Sequence, residues 1–208
     1  MIFIVGFLAQ ALFSARILVQ WIMSERARRV LSPTLFWVLS LIASCLLCFY
    51  GWLRDDFAIV IGQVIAYYIY IWNLNIKGAW TKIPRLLRAV ISLLPLLLII
   101  PVAHDAKAAV DRFFANDDIP LWLLIYGSAG QIIFTFRFIY QWLYSRRRGE
   151  SELPAGFWII SLTGSLIIVS YAIVRHDPVL ILGQGIGLIA YIRNLMLWYR
   201  PKQRTSNH

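Results

Sequence analysis

Of 208 residues, 60% are hydrophobic and only 14% are charged, and the mean hydropathy is +0.70. A soluble domain is about 45–50% apolar and about 25% charged, and one of this size has no interior large enough to hide the excess, so an ordinary water-soluble fold is excluded and a membrane is the expected solvent. The net charge of +10 would suit nucleic acid in a soluble protein, whereas in a membrane protein such charge records topology.

Apolar runs of about 20 residues, enough to cross a hydrocarbon core of about 30 Å, follow one another at 2–23, 33–52, 57–76, 86–103, 120–144, 155–174 and 179–199. The first lacks a basic leader before its apolar stretch and continues through Trp21, which predicts that it is retained and not cleaved as a signal peptide. Pro33 and Pro154 stand where the second and sixth runs begin, a position that tolerates a missing N–H. Asp56 and Asp177 precede the third and seventh runs and suit N-caps, with Arg54 and Arg175 near enough to pair with them. The polar stretch 104–119 is the longest connector and leaves no room for a separate soluble domain.

The basic residues alternate between connectors. Arg26, Arg28 and Arg29, then Lys77, Lys82, Arg85 and Arg88, then Arg146, Arg147 and Arg148, and finally Arg200, Lys202 and Arg204 share one side of a seven-span chain. The other side has only Arg54, Lys107, Arg112 and Arg175, among aspartates. The positive-inside rule then puts the N-terminus outside and the C-terminus in the cytoplasm. The charge is spent on orientation, and no nucleic acid partner is expected. Arg16, Arg137 and Arg193 are the three basic residues left over, and all three fall within spans.

Residues 10–74 match residues 131–195 at a constant offset of 121, with about a third of the positions identical. Each copy holds three spans. Because three is odd, the unmatched fourth span restores the orientation, giving an all-α polytopic membrane protein with a 3 + 1 + 3 plan and parallel repeats. The expected units are repeat 1 (1–80), an inverter helix with its outer loop (81–119), repeat 2 (120–200) and a cytoplasmic tail (201–208).

Polar residues at bilayer depth are costly, and many of those identical in both copies are polar. At 100° per residue, Gln10, Phe13, Arg16, Gln20 and Ser24 share a face about 120° wide, repeated by Gln131, Phe134, Arg137, Gln141 and Ser145. Gln63, Tyr70 and Asn73 form a second face, repeated by Gln184, Tyr191 and Asn194 beside Arg193. Four helices thus aim Arg, Gln, Tyr and Asn at a common interior. One reading is a pocket for an anionic or polyhydroxylated group, since guanidinium recognises phosphate and carboxylate and amides suit sugar hydroxyls. The other is glue between helices, with the arginines snorkelling toward their ends. The candidate substrate-binding set is Arg16, Gln20, Gln63, Tyr70, Asn73, Arg137, Gln141, Gln184, Tyr191, Arg193 and Asn194. No cofactor is expected, nor a metal: Cys45 and Cys48 lie in a span opposite Leu166 and Val169 of the other copy, and His104, His176 and His208 have no ligand spacing. No carboxylate lies in a span to relay protons, and no catalytic acid, base or nucleophile stands out.

The string Gln-x-x-Phe-x-x-Arg-x-x-x-Gln-Trp-x-x-Ser, followed by Pro-x-x-Phe-Trp-x-x-Ser and closed by Gly-Gln and Tyr-x-x-Asn-Leu, resembles the lipid A biosynthesis N-terminal domain family in both halves. That family is grouped with the PQ-loop superfamily of SWEET-type sugar transporters and KDEL receptors, which implies the same 3 + 1 + 3 plan, although neither copy has a Pro-Gln dipeptide. The resemblance implies lipid A or envelope glycolipid biosynthesis in the inner membrane of a Gram-negative bacterium. It does not imply disaccharide synthesis, because these residues hold no nucleotide-sugar glycosyltransferase domain. The leading expectation is a small transporter or flippase-like carrier of a lipid-linked or phosphorylated sugar, with Arg16 and Arg137 on the anionic group. The alternative is a non-catalytic subunit that binds glycolipid for a partner glycosyltransferase. An enzyme in its own right ranks third, and homo-oligomerisation stays open.

Overall fold

The computed structural model describes residues 2–53, 57–104, 120–176 and 178–199. Asp56, Asp177 and Arg54, expected as caps and pairing partner, lie outside the described residues, as do most of the outer connector and the tail from Arg200.

The described residues form seven α-helices and no strand. These are α1 (Ile2–Ala27), α2 (Thr34–Leu53), α3 (Phe57–Ile76), α4 (Arg85–His104), α5 (Leu121–Arg148), α6 (Ala155–Val174) and α7 (Pro178–Tyr199), with a 3-10 turn at Trp80–Lys82 between α3 and α4. Among the described residues, three helical stretches, Ile4–Ala27, Leu121–Arg148 and Ala155–Val174, are long and apolar enough to cross a membrane. Much of the outer surface is apolar, with Leu86, Leu97, Trp122 and Ile189 all more than 60% exposed, a pattern that water does not favour.

Helices α1 and α5 run one turn beyond the apolar runs at 2–23 and 120–144. Hydropathy ends at Ser24 and Ser145, but the helices do not, because each serine is fully buried and its hydroxyl accepts the backbone N–H of a connector residue, Leu31 at 2.9 Å and Glu152 at 3.1 Å. Both ends then turn through the left-handed region, at Arg28 (φ 53°) and at Gly149 (φ 72°), equivalent positions of the repeat. Pro33 and Pro154 sit one residue before α2 and α6, their carbonyls accepting the first turn's N–H groups from Phe36 at 3.1 Å and Phe157 at 3.0 Å.

Each half packs in chain order, α1 on α2 on α3 and α5 on α6 on α7; the halves meet along α1–α7 and α3–α5, and α4 lies against α2 and α3. The aromatic packing is duplicated too: Phe36 meets Trp37 edge-on at 4.8 Å, and Phe157 meets Trp158 at 4.9 Å. Helix α4 has a proline, Pro95, in its interior, which removes the N–H that Ile91 O would accept. Tyr67 Oη supplies a donor to that carbonyl at 2.9 Å, and Tyr68 Oη bonds Ser92 O at 2.8 Å. The proline thus fixes α4 against α3, the neighbouring helix re-satisfying the freed backbone group.

Candidate functional site

A cavity of about 150 Å³ lies between α1, α3, α5 and α7. Its walls hold five pairs of identical residues at equivalent positions: Gln10 and Gln131, Phe13 and Phe134, Arg16 and Arg137, Gln63 and Gln184, Tyr70 and Tyr191. Ser14, Thr135 and Phe138 complete much of the lining.

The two arginines dominate it electrostatically. Arg16 is 4% exposed and Arg137 6%, and among the described residues neither pairs with a carboxylate. Arg16 Nη1 donates to Ser40 Oγ at 2.8 Å and to Tyr70 Oη at 3.2 Å, while its Nε is buried without a partner. Arg137 Nη1 is likewise buried and unpartnered. Aromatic faces carry part of the load: the Arg16 guanidinium lies 4.4 Å from the centre of the Phe13 ring, and that of Arg137 lies 3.2 Å from Phe134 and 4.7 Å from Phe138. Each such contact offsets about 0.5–2 kcal/mol, whereas burying a charge without a counter-ion costs several.

One helical turn along α1 and α5, the amides form a separate layer. Gln20 Nε2 donates to Asn194 Oδ1 at 2.8 Å, and Asn194 Nδ2 returns a bond to Gln20 Oε1 at 3.0 Å. Gln141 and Asn73 do the same at 2.9 and 3.1 Å. Exchanging the two halves turns one pair into the other. All four side chains are fully buried, and Gln20 and Gln141 also donate to the connector carbonyls of Leu31 at 3.2 Å and Glu152 at 3.0 Å.

Six of the eleven candidate residues, Arg16, Arg137, Gln63, Gln184, Tyr70 and Tyr191, therefore line the cavity. Gln20, Asn73, Gln141 and Asn194 do not: their hydrogen-bonding groups are turned on one another across the halves. Arg193 is also elsewhere, held by both oxygens of Glu25 on α1, with Nε 2.8 Å from Oε2. That ion pair explains the arginine better than snorkelling, and it was missed because Glu25 reads as part of a charged connector. The cavity also takes Gln10 and Gln131, legible as members of the repeated face but absent from the candidate set.

Beyond the amide layer the basic connectors enclose a wider basin of about 1460 Å³, bordered by Arg28, Arg29, Lys77 and Arg148 with Glu150 and Glu152. Burial lowers the Lys77 pKa below its usual 10.5, and Glu150 opposes that shift. Cys45 and Cys48 are free thiols, and among the described residues no group of three His, Cys, Asp or Glu is placed to hold a metal.

The family model described as the lipid A biosynthesis N-terminal domain matches the sequence twice, at residues 5–75 and 126–196. The chain belongs to that family. The two matches are separated by the same 121 residues as the internal repeat, so the family's unit is the three-helix repeat itself and the chain is a tandem pair of them. Among curated proteins, the family member is similar to lipid-A-disaccharide synthase of Chlamydia pneumoniae, 33% identical over 209 residues that cover 96% of this chain and 34% of that protein. The synthases of Chlamydia caviae and Chlamydia abortus are 30% and 29% identical, each over 98% of this chain and 34% of their own length. The chain thus spans about a third of the length of the curated relatives it matches. No solved structure matches it.

Proposed function

We propose that this family member is a seven-span protein of the bacterial inner membrane, N-terminus periplasmic and C-terminus cytoplasmic, that carries a lipid-linked or phosphorylated sugar of lipid A or envelope glycolipid metabolism. On this reading the two triple-helix repeats stand parallel, α4 is the inverter between them, and the plan is PQ-loop-like. The observation that carries it is the pair of buried guanidinium groups facing one cavity with no carboxylate among the described residues to neutralise them. An anionic group is the occupant that relieves that cost.

A volume of about 150 Å³ is that of a cavity able to hold benzene, so it takes a headgroup and leaves acyl chains outside. Two equivalent halves that meet through paired polar groups are suited to rocking about a central site, and the amide layer closes that site toward the basic connectors. In proteoliposomes, a fluorescent anionic glycolipid is expected to cross between leaflets with the wild-type chain and not with the Arg16→Gln, Arg137→Gln double variant; undiminished movement by the variant overturns the carrier reading.

The synthase relatives favour a second reading, in which the same site holds glycolipid for a glycosyltransferase without moving it. It expects stable co-purification with such an enzyme, and headgroup binding with no movement between leaflets.

A further inference from the structure

The two halves do not furnish the cavity equally, and the difference names its ligand more narrowly. In the first half Arg16 is committed, its Nη1 shared between Ser40 Oγ and Tyr70 Oη. In the second half Ser161 donates to Phe157 O at 2.6 Å just as Ser40 does to Phe36 O, but among the described residues it accepts nothing from Arg137, which makes neither equivalent bond and whose Nη1 stays buried and unpartnered. The glutamines divide the other way. Gln184 Oε1 accepts from Ser165 Oγ at 2.9 Å, while Gln63 Oε1 is buried with no donor. Buried polar groups are satisfied in nearly every native structure, so open donors on Arg137 and Arg16 Nε and an open acceptor on Gln63 describe the complement of something that fits between them.

We infer that the cavity takes a phosphate monoester with a hydroxyl beside it, the phosphate anchored chiefly by Arg137 and the hydroxyl donating to Gln63 Oε1. Donors from opposite halves suit a tetrahedral group with several oxygens better than a planar carboxylate, and two guanidinium charges are balanced by a phosphate dianion. Arg16 supplies charge and one donor, but its main bonds hold α1 to α2 and α3. This rests on the anionic-headgroup reading above and adds which half anchors the anion and what else the ligand carries.

Binding to the full chain in detergent micelles tests it with three probes. Lysophosphatidic acid carries a phosphate monoester and a free neighbouring hydroxyl on a lipid, phosphatidic acid lacks that hydroxyl, and glycerol 3-phosphate has both groups without an acyl chain. Losing a charge-assisted bond weakens affinity about 10- to 100-fold; that is the expected loss of lysophosphatidic acid binding in Arg137→Gln, with no loss of melting temperature in the empty protein. Arg16→Gln is expected to lower the melting temperature and weaken binding only a few-fold, and Arg16→Lys keeps a folded comparison should the glutamine variant not fold. Preference for lysophosphatidic over phosphatidic acid is expected to disappear in Gln63→Leu. Glycerol 3-phosphate binding as tightly as lysophosphatidic acid would assign the site to a soluble ester and overturn the lipid headgroup. Equal losses in both arginine variants, or a preference that survives Gln63→Leu, refute this division and leave the anionic-headgroup reading intact. Unchanged affinity in both arginine variants overturns both.

Discussion

The amide layer makes a quantitative prediction because its two pairs are alike in sequence and unlike in surroundings. Replacing Gln20 by Met, which keeps the length and removes the polarity, takes two bonds from Asn194. Bonds between helices in a membrane contribute about 0.6 kcal/mol each on average, and Asn194 Oδ1, whose donor is Gln20, becomes a buried orphan at about 1–3 kcal/mol. The total is about 2–4 kcal/mol. Asn194→Leu orphans Gln20 Oε1 in the same way, but the double variant loses only the bonds and orphans neither group, so the two changes are expected to couple by about 3 kcal/mol or more. At the equivalent pair, Asn73 Oδ1 keeps a second donor in Ser151 Oγ at 2.7 Å, so Gln141→Met is expected to cost about 1 kcal/mol less than Gln20→Met. A double-mutant cycle by reversible unfolding in mixed micelles measures both quantities. Additivity within about 0.5 kcal/mol, or equal costs for the two glutamines, would refute the account.

Tyr67→Phe leaves Ile91 O without the donor that Pro95 denies it, at about 1–2 kcal/mol; in a Pro95→Ala background the helix N–H returns, and thermal unfolding should show that loss largely abolished. Gly149 is the αL residue that ends α5, with open space around it, so Gly149→Ala is expected to cost about 1 kcal/mol, while Arg28→Gly at the equivalent position should leave the melting temperature level or higher. A Cβ at Gly164 would lie 2.8 Å from Phe134 N, and because that is backbone, Gly164→Ala should force α5 and α6 apart and destabilise by about 1–3 kcal/mol. The Lys77 pKa is lowered on folding, so between its folded value and 10.5 the unfolded chain binds more protons and stability rises with pH; Lys77→Met should flatten that alkaline rise in unfolding measured against pH.

The helices were legible because a chain in an apolar solvent must satisfy its backbone within each segment, so apolar length and helix length nearly coincide. They parted at Ser24 and Ser145, where a buried hydroxyl carries a helix past the end of its hydropathy. The faces were legible for a related reason, since 100° per residue fixes direction. It does not fix depth or partner. Arg16 and Gln20 share a face that reads as one site, yet a single turn separates a cavity from a closed layer. Nor could periodicity show that Glu25 reaches Arg193 from the other half, or that Tyr67 answers the carbonyl left by Pro95, because those pairings depend on which helices are neighbours.

The chemistry of the repeat explains why two copies suit one another. Each copy carries a glutamine on its first helix and an asparagine on its third, and each needs a partner with both a donor and an acceptor. A reciprocal bond from first helix to third across the halves satisfies all four amides at once, and exchanging the halves leaves that pattern unchanged. Divergence therefore costs little where it spares the four amides. It is visible at Ser32, which accepts from Trp37 Nε1 at 2.8 Å and meets Ser151 Oγ at 3.1 Å. Its counterpart is Leu153, and Trp158 Nε1 is left without a partner. The same licence reaches the cavity, where Ser40 and Ser161 each donate to the carbonyl four residues back but only Ser40 also accepts from the arginine of its own half. Symmetry holds the halves together one turn from a site that has no need of it, because a phosphate with one neighbouring hydroxyl is itself asymmetric.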